Sequence, residues 1–280
     1  ELLPIGEDGY ELTLIIEGQA RRLSFTPRDV RGENYVLLVQ EADGSLVEYP
    51  PGPINTYRGT EVYHPMVRSA LGIEEDGFRL RLIDEDERQW FAEPLDGRVA
   101  GADIDAYAVY EDSAIISPLN ECPVDDGWRV TGLSSSHRSH GGQRGGSLLA
   151  AEMAVDADFE FFQQYGTISG VENRVNAVIN SVNTQYESQC NLTHEIQAIV
   201  VRNTSDDPYS TNSIDTRLDQ LQAEWNGGNH PGIARDIGHL FTGVDTGSTI
   251  GLAYVGAVCS GWGYGVVQSN CCGSFGCATD

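Results

Sequence analysis

The chain has 280 residues, enough for one large or two ordinary domains. Its 42 acidic side chains against 17 basic ones give a net charge of −25. That balance excludes nucleic acid and anionic membrane as partners and agrees with calcium binding and an extracellular or saline setting. No apolar run reaches the roughly 18 residues a membrane helix needs, so no span is expected.

The opening ELLPIGEDGYEL has neither a basic nor an apolar leader segment, so any signal peptide is expected to have been removed already. Every basic residue is arginine. Six cysteines stand at 122, 190, 259, 271, 272 and 277. Their crowding near the end of an acidic chain favours secretion and disulfides over a thiolate metal site. Adjacent Cys271 and Cys272 would take different partners. Asn191-Leu-Thr and Asn203-Thr-Ser fit the glycosylation acceptor pattern.

Residues 1–133 read as a β-rich region. Tyr10–Ile16 and Phe78–Ile83 alternate, Tyr35–Val39 is a buried strand, and Tyr57–Tyr63, Trp90–Leu95 and Ala106–Tyr110 add more. Turn signals at Gly6–Gly9, Asp43-Gly44, Pro50–Gly52 and Asp76-Gly77 separate them. The run Asp84–Glu87 is a solvated turn. Residues 134–147, which include SSSHRSHGGQRGG, form a linker by composition. His137 and His140 belong to that solvated segment. Arg138 and Arg144 make it a natural processing site.

From residue 148 to 280 the pattern changes. Leu148–Asp158 reads as a strand with an acid at its far end. Val171, Val175, Val178, Ile179, Val182 and Tyr186 make one apolar stripe on a helix over 168–186. Glu195–Arg202 is the next strand. Ile214, Leu218, Leu221 and Trp225 give a second helix, capped by Asn212 or Ser213 and stopped at Gly227-Gly228. Strand, helix, strand, helix, strand is an α/β order with a largely parallel sheet. Asp236 to Gln268 closes the pattern, with a Gly/Asp-rich turn at 243–248 and a β-prone run from Thr249 to Val258. Glycines inside such a run mark close approach of another backbone.

The segments HLFTG (239–243), DTGSTIGLAYVGAVCS (245–260) and YGVVQ (264–268) resemble those just before the zinc helix of reprolysin-type, adamalysin/ADAM-like metzincin zinc metallopeptidases. The resemblance covers residues 148–280 and is strongest over 236–268. It implies an α/β metzincin-like fold, a mainly parallel twisted sheet with helices, preceded by a β-rich prodomain at 1–133. It further implies a secreted zinc endopeptidase in zymogen form. Gly251, Leu252, Ala253, Tyr254 and Val255 would be the edge strand along which a peptide or protein substrate lies extended. The physics suits that role, because a sheet edge offers unpaired N–H and C=O groups.

In the family the helix HExxHxxGxxH follows this stretch directly. None of the six histidines, His64, His137, His140, His194, His230 and His239, stands in an HExxH pattern. Zinc, its three histidine ligands and the glutamate general base are therefore expected from a C-terminal remainder of the peptidase domain. Zinc there would lower the pKa of its bound water and polarise the scissile carbonyl. By resemblance, Glu152 and Asp236 would be calcium ligands; the plain alternative pairs Glu152 with an arginine and gives Asp236 a turn to cap. Cys122 has two readings, a cysteine switch placing thiolate on the zinc or an ordinary disulfide or buried thiol; its flanks lack the usual switch motif. His239 is expected to be a satisfied core or edge histidine. A second reading of the whole chain is a non-catalytic extracellular structural protein that reuses the scaffold and self-assembles through its open edge.

Overall fold

The computed structural model describes residues 1–6, 8–96, 98–115, 147–230, 232–247, 249–269 and Phe275. Cys122, Cys271, Cys272, Cys277, His137, His140 and the expected processing site lie outside the described residues.

Ten strands precede residue 112: β1 (Leu2–Ile5), β2 (Gly9–Ile16), β3 (Gln19–Pro27), β4 (Arg31–Gln40), β5 (Leu46–Tyr49), β6 (Thr56–Glu61), β7 (His64–Glu74), β8 (Gly77–Ile83), β9 (Gln89–Pro94) and β10 (Tyr107–Glu111). The second half carries β11 (Leu149–Ala157), α1 (Phe159–Tyr165), α2 (Ile168–Gln189), β12 (Leu192–Val201), α3 (Ile214–Asn226), β13 (Ile237–Thr242), β14 (Gly251–Ala253) and β15 (Tyr264–Gln268).

Eight of the early strands form a curled antiparallel sheet in the order β1-β2-β3-β6-β7-β8-β9-β10. Their alternation places Leu12, Leu14, Leu23, Phe25, Leu71, Leu80, Leu82 and Trp90 in one core inside the curl. The missing pair, β4 and β5, belongs to the other sheet.

That second sheet runs β14-β15-β13-β11-β12-β4-β5. The five strands from β15 to β4 are parallel, and the two outermost, β14 and β5, are antiparallel to their neighbours. The linker at 134–147 therefore does not divide the two sheets as the composition suggested. Residues 31–49 of the β-rich region cross over and complete the sheet of the second half. Tyr35–Val39 reads as fully apolar because β12 and β5 flank it and both faces are covered.

The helices take opposite faces. On one face Met153, Val155 and Ala157 of β11, with Leu37, Val39, Ile196, Ile199, Val201 and Phe241, pack on the Val171, Val175, Val178 and Ile179 stripe of α2. On the other face Ala154, Ala198, Val200, Leu240 and Val266 pack on Leu218, Leu221 and Trp225 of α3. α2 starts at Thr167, whose hydroxyl accepts from Gly170 N, and α3 at Ser213, whose hydroxyl accepts from Thr216 N.

α2 is also covered on its outer side, by the curled sheet. Ala177 approaches β7 so closely that a Cβ on Gly72 would lie 2.5 Å from its own. Around that contact the interface is polar. Asn180 donates to Tyr57 O and Leu71 O, and Asn55 donates to Ile73 O and Asn173 O. The fully buried Arg81 donates to Gln89 and Gln185. No helix among the described residues is long and apolar enough to cross a membrane.

Candidate functional site

The expected edge strand is an edge. Among the described residues β14 is outermost and pairs only with β15, in the register Gly251↔Val267, Leu252↔Val266, Ala253↔Gly265. It is shorter than the β-prone run from Thr249 to Val258. Strand geometry covers 251–253, and the chain turns at Val255-Gly256, where Gly256 has φ +72°. Ile250 O accepts from Gln268 N at 2.8 Å and Tyr254 N donates to Tyr264 O at 3.2 Å. Residues 250, 252 and 254 thus share the hydrogen-bonded phase toward β15. Gly251 and Ala253, of the opposite phase, turn their N–H and C=O outward from the sheet.

The two faces of the edge differ. Toward α3, Leu252 and Tyr254 pack against the Leu218–Trp225 core. There a shallow open hollow is lined by Asp215, Leu218, Asp219, Leu252, Ala253 and Tyr254. Tyr254 Oη donates to Asp219 Oδ1 at 2.7 Å, and burial together with that carboxylate raises its phenol pKa. Toward α2 the floor is made of small residues. Ala253 lies opposite Gly265 of β15 and Gly251 opposite Val267, and a Cβ on Gly265 would meet His239 Nδ1 at 3.0 Å and Ala253 Cβ at 3.4 Å. His239 closes this shelf; desolvation, with His194 adding to it, lowers its pKa to about 4, so the ring is neutral near pH 7.

Side-chain bonds tie down the loop before β14. Asp158, at the end of β11, is fully buried. Its Oδ1 accepts from Phe161 N at 2.8 Å, capping α1, and from Gly243 N at 3.0 Å. Its Oδ2 accepts from Arg217 Nη1 of α3 at 2.6 Å. Burial nevertheless lifts this carboxyl to about 6. Further along, Thr246 N donates to Gln268 Oε1 at 3.0 Å and Thr246 Oγ1 donates to Thr249 O at 2.8 Å. The sequence Asp158-Phe-Glu-Phe161 carried the cap signal for α1, which periodicity alone passed over because seven residues are too few to show a stripe.

Glu152 and Asp236 do meet, but through backbone. Glu152 N donates to Asp236 Oδ2 at 3.0 Å and Asp236 N to Glu152 O at 2.7 Å. Asp236 Oδ1 takes the Cys259 thiol at 3.1 Å, so both carboxylate oxygens already have protein donors. The Asp236 carboxylate thus ties β11 to Cys259, and the described residues give calcium no support. Cys190 and Cys259 are exposed free thiols. Among the described residues no group of three or more His, Cys, Asp or Glu side chains is arranged to hold a metal. His64 pairs with Glu85, His194 with Asn183, and His230 with Glu224. The side chains described therefore do not make a zinc centre.

What these features define is an α/β sheet with a short antiparallel edge strand, open on its outer side and held by a braced loop. Residues 150–275 match Metallo-peptidase family M12, of reprolysin type. This match supports a metallopeptidase and a peptidase-type function, and that family implies zinc in general. Among solved structures, metalloproteinase-II from Bacteroides fragilis is 10% identical over 94% of this chain and 76% of that one, with a TM-score of 0.44. A structure titled as a chaperone-substrate complex is 14% identical over 45% of this chain, with a TM-score of 0.37. The chain spans only 22% of the length of the latter.

Proposed function

We propose that the chain is the N-terminal part of a secreted zinc endopeptidase in zymogen form, whose edge strand at 251–255 aligns an extended peptide substrate. The observation that carries this reading is the outward phase of Gly251 and Ala253 at the open side of β14. A peptide strand laid there exchanges main-chain hydrogen bonds with those two residues, and the absence or shortness of the Gly251 and Ala253 side chains leaves room for its own. The M12 match over 150–275 supports the reaction class. No zinc ligand and no step of the hydrolysis is assigned to the described residues of this chain. Processing at Arg138 or Arg144 within 134–147 is part of the same reading.

The test uses the native full-length protein. Stoichiometric zinc and peptide hydrolysis abolished by a chelator are the expected results. Ala253→Pro removes one outward N–H on an edge strand, where proline is tolerated. It is expected to weaken peptide hydrolysis about fivefold, the worth of roughly 1 kcal/mol for one such bond. Absence of zinc together with chelator-insensitive or absent hydrolysis overturns the proposal and leaves the non-catalytic assembly role.

A further inference from the structure

The N-terminal region touches the second half in two chemically different ways, and the difference predicts what happens when the chain is cut. Against the outer face of α2 the curled sheet makes a contact that is polar at its centre, where Asn176 Oδ1, Asn180 Oδ1, Ser181 Oγ and Ser69 Oγ are buried without a protein partner, and apolar only where Phe91 and Tyr110 join the cluster around α2. Such a layer suits trapped water and adds little hydrophobic attraction.

The β4–β5 hairpin is held otherwise. β4 pairs in parallel with β12 from Val36↔Ala198 to Val39↔Val201. Leu37 and Val39 enter the core on the α2 side, each 1% exposed, and Val36, Leu38 and Leu46 pack on the α3 side. Beyond the hairpin, the carboxylate of Glu172, on α2 and 1% exposed, is held entirely by N-terminal groups. It accepts from Tyr35 Oη at 3.0 Å, Gly52 N at 2.9 Å and Arg31 Nη1 at 3.3 Å. Gln40 accepts from Arg202 and donates to Thr204, fastening the far end of β4 to the segment after β12. Loss of the hairpin would bare the edge of β12 from Ile196 to Val201, with Ile196, Ile199, Val200 and Val201 all fully buried now.

We propose that residues 28–52 are a permanent part of the second sheet, so that a cut between residues 134 and 146 yields a two-chain protein and does not release the N-terminal region. The outer edge of β12 is then an interaction surface whose partner is the protein's own N-terminal fragment. This goes beyond the peptidase reading and does not depend on it, since neither metal nor activity enters the argument.

The test is made on the full chain carrying a specific protease site inserted between residues 138 and 144. After complete cutting, both fragments are expected in one size-exclusion peak at the mass of the uncut protein. The peak should persist in about 1 M NaCl, where exposed charges are screened, and separate only in urea. Amides of β12 should keep their hydrogen-exchange protection. The proposal is overturned if the fragments separate in native buffer, or if residues 147–280 elute alone as a monodisperse folded species. A second variant, Leu37→Asp, places a charge in the hairpin's core face. Its cut form is expected to separate at a urea concentration lower by at least half, and equal retention would sink the assigned role of β4. Should the uncut variant not fold, the cut wild type alone decides.

Discussion

Replacing Asp158 by alanine tests the brace that connects the sheet to the loop before the edge strand. The carboxylate makes three interactions at once, with Phe161 N, Gly243 N and Arg217. Loss of the helix cap costs about 1 kcal/mol. Leaving Gly243 N–H buried without an acceptor costs about 1 kcal/mol more. The largest effect is on Arg217, 1% exposed, which would keep Thr211 O at 2.5 Å and Glu160 only at 3.7 Å. Stranding one partner of a buried ion pair costs about 3–5 kcal/mol, and the remaining carbonyl places this case at the low end. The three effects overlap, so the expected loss is about 4 kcal/mol by urea unfolding followed through tryptophan fluorescence.

The ion pair itself adds little net stability, since burial holds the Asp158 carboxyl near 6 despite Arg217. The double variant Asp158→Ala with Arg217→Met should therefore recover about 2 kcal/mol, because it removes the stranded charge. A loss under about 1 kcal/mol for Asp158→Ala, or a double variant that loses the sum of the two singles, would refute this reasoning.

His239 has a folded pKa of about 4 against an ordinary value of 6.5. It contributes stability in full above pH 6.5 that is lost as pH falls through 4, so His239→Gln should flatten the urea-midpoint curve over that window by up to about 3 kcal/mol. Asp158 has the opposite sign, its contribution being present below pH 3.8 and lost as pH rises through 6, so the wild-type curve shows only the difference. Gly72→Ala should destabilise by about 1–3 kcal/mol through overpacking, because its Cβ would meet Ala177 Cβ at 2.5 Å. Ala177→Gly should rescue it in a double-mutant cycle and harm the wild type alone; no rescue would disprove the contact. Thr246→Ala should raise hydrogen exchange at Gly247 and Thr249 without shifting the global midpoint by more than about 1 kcal/mol, the worth of its hydroxyl bond to Thr249 O.

The periodic elements were the legible ones. The stripe from Val171 to Tyr186 marks α2, which runs three residues further, to Gln189. The alternation at Tyr10–Ile16 and Phe78–Ile83 marks β2 and β8. β3 was not legible, because Arg21 and Arg22 interrupt its pattern; Arg21, on the same face as Leu23 and Phe25, pairs with the buried Glu61, and Arg22, on the opposite face, pairs with Glu11. β7 escaped for a related reason. Its middle is small and mixed, Ser69-Ala70-Leu71-Gly72, because one face lines the curl while the other lies flat on a helix. The strand at 251–253 was legible in its β-prone run, and its place at the edge came from the resemblance. The brace at Asp158 was not legible, since its partners Gly243 and Arg217 lie 85 and 59 residues away.

The division of the chain was the least legible feature, and α2 explains why. A helix with one apolar stripe reads as packed on one side and wet on the other. Here the second side is buried too, yet its residues Asn176, Asn180, Ser181 and Thr184 are polar. The side-chain NH2 of Asn180 is satisfied by the main-chain carbonyls of Tyr57 and Leu71, in a sheet that ends about 60 residues earlier in the chain. Polar side chains that bond to backbone carry no periodic signature of the partner, because any strand supplies the same carbonyls whatever its side chains. The same holds for β4: a strand apolar on both faces announces burial but not which sheet receives it. Composition placed a boundary at the Ser/His/Gly-rich segment because a chain that must not pack is easy to recognise. It said nothing of β4 and β5, which reach past that boundary to finish the sheet that carries the candidate site.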